Sequence, residues 1–158
     1  VIALDIAVEA DGWTSLSDAE ELAQRAADAA LAVSDAEEAE YEAAILLTDD
    51  AHIRELNASW RGKDKATNVL SFPSPQTHGH QGPRYLGDIA LAYETLVREA
   101  EDESKPLAHH FAHLVVHGIL HLLGYDHEVD EEADIMEALE IKALATLGIA
   151  DPYSDMAA

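Results

Sequence analysis

The sequence has no cysteine. Disulfides, a thiolate nucleophile and thiolate-bound metal are therefore excluded, and any metal ion has to be held by histidine, aspartate or glutamate. Cations are also scarce: 9 lysines and arginines stand against 32 aspartates and glutamates, a net charge of -23. Such a molecule repels nucleic acid at long range, which speaks against binding through a broad basic surface. Long apolar runs are absent too, none approaching the roughly 18 residues of a membrane span. The opening VIALDIAVEA has no basic region and carries Asp5 and Glu9 within its apolar run, so it reads as a strand rather than a leader. These absences point to a cytoplasmic protein with no membrane partner. What is present, 158 residues of which 48% are hydrophobic, is enough for one domain spanning residues 1–158 with a proper core.

The few cations are not spread evenly. Between residues 54 and 90 lie Arg54, Arg61, Lys63, Lys65 and Arg84 against Glu55, Asp64 and Asp88, a net of +2, which leaves -25 on the other 121 residues. A small cationic island in an acidic molecule is where an anionic substrate is expected to land, although acids decorating solvated helices would leave the same gap.

Residues 1–8 and 41–47 are short apolar runs suited to strands, with a long helix between them. Ser17 and Glu20 have the spacing of a capping box for that helix, and Leu22, Ala26, Ala29, Ala30 and Val33 make its apolar stripe. A shorter helix is expected over 50–59. Strands are expected over 67–72, stopped by Pro73, and over 86–92, with a Pro- and Gly-containing loop over 73–83 between them. Helices are then expected over 93–102, over 104–123 with Pro106 in the first turn, and over 130–147, closed by Gly148. The order is βαβαββααα: an α+β fold in which a small mixed four-stranded sheet packs with about five helices.

At the end of the helix over 104–123, the stretch HGILHLLGYDH, residues 117–127, concentrates the chemistry. Residues four apart on a helix point the same way about 6 Å apart, so His117 and His121 can share a metal ion. Gly124 is placed to end the helix in a left-handed conformation and turn the chain back, bringing His127 toward the pair. Three nitrogen ligands leave a coordination position open, the arrangement of a catalytic rather than a structural metal. His113 and His117 are also four apart, so pair spacing alone does not select the ligands. His110 lies about 10 Å along the axis from His117, too far to join the same ion; it lines the cleft or sits at the edge of the core. His78 and His80 fall in the loop and read as solvent-exposed. The spacing also matches the zinc-protease pattern, but Gly118 stands where a protease needs its glutamate base, which disfavours a peptidase. A glycine inside a helix costs about 1 kcal/mol, and here it lets another element or a substrate approach closely.

The stretch HGILHLLGYDH resembles the metal-site motif of the YbeY family of bacterial endoribonucleases. NASWRGKDKATNVLSF (residues 57–72) resembles that family's second motif and LGDIAL (86–91) its third, while EALE (137–140) and DPY (151–153) are similar to its ending. The resemblance implies a metal-dependent, single-strand-specific endoribonuclease acting in maturation of the 3′ end of small-subunit ribosomal RNA and in ribosome quality control. It implies His117, His121 and His127 as ligands of one divalent ion, zinc being the usual assignment, and Arg61 as the functional arginine. Ala66 stands where many members have proline.

The residues themselves leave roles open. Arg61 suits a paired clamp on phosphate oxygens, or a surface ion pair with Asp64. Lys63 and Lys65 steer or bind an RNA backbone, or are ordinary solvated loop residues. Asp88 orients a ligand from behind or caps a turn, and Asp126 carries the same ambiguity. Three imidazoles suit nickel, copper and iron as well as zinc. Two competing readings remain: a non-catalytic ribosome assembly factor with a structural metal, whose acidic faces dock basic ribosomal proteins, and a metal hydrolase of another substrate class.

Overall fold

The central strands are nearly continuous apolar runs, and such strands are stable only when both faces of the sheet are covered. The computed structural model describes residues 2–75, 82–125 and 129–153, with helices packed against one whole face of the sheet and part of the other. Its elements are β1 (Ile2–Val8), a 3-10 turn (Asp11–Ser15), α1 (Ala19–Val33), β2 (Tyr41–Thr48), α2 (Asp50–Arg61), β3 (Val69–Pro73), β4 (Arg84–Ala92), α3 (Tyr93–Asp102), α4 (Leu107–Leu122) and α5 (Asp130–Thr146). The sheet order is β1-β2-β4-β3. β1 runs parallel to β2 and β2 to β4, whereas β3 pairs antiparallel with β4 at the edge, which makes the sheet mixed as expected. Pro73 is tolerated because β3 is an edge strand.

β4 shows how the two faces are filled. Ile89 and Leu91 belong to the main core with α1, α4 and α5, while Ala90 and Ala92 meet Ile53 of α2 and Leu70 of β3 on the other side. Phe111 of α4 is fully buried and meets Trp13 edge-on at 5.5 Å. The Trp13 indole, from the 3-10 turn that sequence reading left as connection, donates to the Thr48 carbonyl at 2.8 Å and so ties that turn to the end of β2. Phe111→Ala is expected to destabilise the fold by about 3–5 kcal/mol, the range for emptying a buried phenylalanine site. A urea midpoint equal to the wild type's would contradict this placement of the core.

Two helix starts differ from expectation. At α1 no side-chain cap bond forms, and Asp18 rather than Ser17 occupies the cap position. The buried stripe of α1 is Ala19, Ala23, Ala26, Ala27 and Ala30, with Leu22, Ala29 and Val33 at its margin. Alanines line nearly every side of this helix, so periodicity could not say which of them faces the core. At α4, Ser104 has φ 56 and cannot belong to a helix, and Pro106 precedes the first turn instead of lying within it.

Candidate metal centre and its surroundings

α4 carries the histidines because its other residues are the most apolar of any helix here. Leu114, Val115, Val116, Ile119 and Leu120 are buried, which leaves a narrow stripe for His113, His117 and His121 at intermediate exposure. Gly118 lies against β4: a Cβ there would come within 2.9 Å of Ile89 Cδ1. Of the two roles foreseen for this glycine, close approach of another element is therefore the one realised.

Immediately after His121 the helix closes. Gly124 has φ 106, its N–H donates to the His121 carbonyl at 3.0 Å, and the Tyr125 N–H donates to the Leu120 carbonyl at 3.1 Å. Those two bonds are the glycine-terminated C-cap that reverses a chain. Among the described residues nothing lies within 4 Å of a Cβ built at 124. Backbone conformation is what calls for glycine. The expected third ligand, His127, lies outside the described residues, as do Asp126, His78 and His80. Among the described residues no three histidines or carboxylates converge on one metal position.

Behind the stripe sits a residue that sequence reading did not single out as functional. Glu140 of α5 is 1% exposed, and its two carboxylate oxygens are shared between two rings, His113 Nε2 to Oε1 and His117 Nδ1 to Oε2, both at 2.7 Å. The Tyr153 hydroxyl also donates to Oε1 and lies 3.1 Å from His113 Nε2. Burial pushes the Glu140 carboxyl upward, the largest single effect, but the bonds from His113, His117 and Tyr153 together outweigh it and hold the group at about 2. The Tyr153 phenol is raised, by burial first and by its hydrogen bond to Glu140 second. A signal for Glu140 was available: it occupies the same face as Met136, Ala143 and Leu144, so an acid stands in an apolar stripe.

His110 is 4% exposed, and its Nε2 is 2.8 Å from Glu99 Oε1, which also accepts from Asn68 Nδ2 at 3.0 Å. Both roles foreseen for His110 hold at once, since it is buried and also lines a polar cleft of about 310 Å³ with Asn68, Glu99, His113, His117 and Tyr153. Asn68 precedes β3, so this bridge fastens the end of the cationic loop to the histidine helix. The imidazoles of His113 and His117, backed by the buried Glu140, are a donor set that fits a divalent cation.

The cationic residues are placed differently. Arg61 ends α2 and is exposed, and Gly62, with φ 69, turns the chain into the loop carrying Lys63 and Lys65, both exposed. The alternative partner for Arg61 is taken: Asp64 is held by Arg54 through Nε to Oδ1 at 2.7 Å and Nη2 to Oδ2 at 3.2 Å. That pair lowers the Asp64 carboxyl and raises the Arg54 guanidinium, by hydrogen bonding first. Among the described residues Arg61, Lys63 and Lys65 make no ion pair with an acid. None of the three lines the histidine cleft; Lys65 borders a shallow depression with Asp50 and Arg54.

Asp88 is separated from the histidines. It accepts from the Tyr85 hydroxyl and lines an open groove with Asp5, Trp60 and Phe72, whereas its neighbour Ile89 points to α4. Burial and Asp88 together push the Tyr85 phenol up to about 12. The groove lies on the sheet face that α2 covers only in part, and Trp60 stands 73% exposed beside it.

The family model described as Endoribonuclease YbeY matches residues 7–148. The chain is 56% identical over 156 residues to the Endoribonuclease YbeY of Rhodopseudomonas palustris (strain BisA53), covering 97% of this chain and 91% of that one. It is likewise 56% identical over 155 residues to the Endoribonuclease YbeY of a Bradyrhizobium species (strain BTAi1), covering 96% and 92%. Among solved structures, a Thermotoga maritima protein determined in solution aligns with TM-score 0.53 at 23% identity, over 96% of this chain and 99% of that one, a likeness of fold.

Proposed function

The chain belongs to the Endoribonuclease YbeY family, and from that premise we propose that it is a metal-dependent, single-strand-specific endoribonuclease acting in the cytoplasm on the 3′ end of small-subunit ribosomal RNA and in ribosome quality control. The observation that carries the metal part is the end of α4: two histidines one turn apart, followed at once by a glycine in left-handed conformation that sends the chain back. His117 and His121 hold one divalent ion, zinc by preference, with His127 as the third ligand. Zinc, when bound, supplies Lewis-acid chemistry at a phosphodiester.

The chain's own residues do the rest. Arg61, exposed and not engaged by an acid among the described residues, takes the phosphate through paired hydrogen bonds and offsets charge growing at phosphorus. Lys63 and Lys65 guide the RNA backbone toward it, a local attraction that works against the overall charge of -23. A second reading has one observation in its favour, that same acidity, which suits an assembly factor docking basic ribosomal proteins without cleavage.

Cleavage of a single-stranded RNA oligonucleotide separates the two. Zinc-loaded protein is expected to cut, chelator-stripped protein to be silent until zinc is restored, and Arg61→Ala to lose about 100- to 1000-fold in kcat, the range for removing one donor to transition-state charge. RNA binding without cutting at saturating metal would favour the assembly factor. Wild-type rates in Arg61→Ala would end the role given to that residue.

A further inference from the structure

A neutral imidazole offers a metal one nitrogen lone pair, and which nitrogen carries it is set by what the other one bonds. On α4 that choice is made by a residue 23 positions away in the chain. Glu140, 1% exposed, meets His117 at Nδ1 and His113 at Nε2, each at 2.7 Å. An ionised carboxylate only accepts, so the facing atom of each ring has to carry the proton. For His117 this puts the proton on Nδ1 and the lone pair on Nε2. For His113 it puts the proton on Nε2, where Glu140 and the Tyr153 hydroxyl already surround it. One buried carboxylate therefore gives opposite tautomers to two histidines one turn apart.

Resting on the metal reading above, we infer that Glu140 is the positioning residue of the site. It presents His117 Nε2 as a ligand and keeps His113 Nε2 protonated, which turns that ring's lone pair to the buried Nδ1 and away from the metal. Two of the pairs of equal spacing on α4, 113 with 117 and 117 with 121, are thereby made unequal.

Glu140→Gln tests this with little change of shape. A carboxamide has one acceptor atom and one donor atom. Oε1 meets two donor groups and Oε2 meets one, so the amide oxygen settles toward His113 and Tyr153 and its NH2 faces His117. His117 Nδ1 must then accept, and the proton moves to Nε2, the atom needed for the metal. Long-range 1H–15N NMR of the metal-free protein should show His117 protonated at Nδ1 in the wild type and at Nε2 in Glu140→Gln. Competition with a chromophoric chelator should show zinc bound roughly 10- to 100-fold more weakly, the usual loss when the partner behind a ligating histidine is removed. Glu99→Gln, which alters the equivalent partner of His110 on the same helix, should leave zinc affinity within about twofold.

The outcomes separate the inference from its premise. Zinc held equally by wild type and by folded Glu140→Gln overturns the role of Glu140 and leaves the metal reading standing. A wild type that binds no zinc, with His117 protonated at Nδ1, overturns the metal reading and leaves Glu140's control of the tautomer. If Glu140→Gln fails to fold by circular dichroism, the wild-type spectrum decides alone: His117 protonated at Nε2 overturns the inference.

Discussion

His121→Ala is expected to lose stoichiometric zinc and, with it, cleavage of single-stranded RNA. His121 occupies the last turn of α4, directly before the reversal at Gly124, and without it the helix offers one ligand instead of two. The affinity loss should exceed the roughly 100-fold upper figure for removing a residue that only supports a ligand. His113→Ala is the comparison that gives the result meaning. Its Nε2 is engaged by Glu140 and Tyr153, so zinc should still bind at one ion per chain. Elemental analysis of both variants after exposure to zinc reads the difference directly. Metal lost from His113→Ala but kept by His121→Ala would move the ligand pair one turn toward the helix start.

The largest expected effect on stability outside the core belongs to Gly87→Ala. Gly87 pairs with Pro73 across the edge of the sheet and has φ 139, a conformation that side chains rarely adopt. A Cβ there would fall 2.3 Å from the Phe72 carbonyl oxygen and 3.0 Å from Pro73 Cα, both backbone atoms that cannot swing aside. Strain of this kind costs about 1–3 kcal/mol before the clash is added. A loss of about 3 kcal/mol or more is therefore expected, roughly 10 °C in Tm for a chain of this size. Gly62→Ala controls for the backbone conformation alone: φ is 69 but nothing lies within 4 Å of the added carbon, so only about 1–2 kcal/mol should be lost. Equal thermal shifts in the two variants would refute the crowding at Gly87.

Much of this was open to inspection in the residues. Apolar periodicity placed four strands and five helices in their observed order, because the two repeats of side-chain direction are properties of the local backbone. Gly124 and Gly148 carry positive φ after α4 and α5 as expected, the left-handed conformation that ends a helix and that glycine tolerates best, and Gly62 does the same after α2, which runs to Arg61 rather than stopping at 59. The histidine spacing was equally plain. Less visible was Trp13, which looked like part of a connection until its indole was seen to reach Thr48. The capping box at Ser17 and Glu20 had the right spacing and did not form, since a cap depends on how the chain enters the helix.

By itself, then, the sequence determined the element order, the glycine closures after α4 and α5 and the presence of histidines spaced by four along α4, all of which depend on contacts within a few residues. Only the tertiary structure decided that β4 lies between β2 and β3, that Asp88 faces a groove away from the histidines, and that Asp64 belongs to Arg54. It alone also brought Glu140 behind His113 and His117. A carboxylate's partners depend on which helices pack together, and packing is settled by the sum of many apolar contacts across the whole chain, so no local pattern of residues records it.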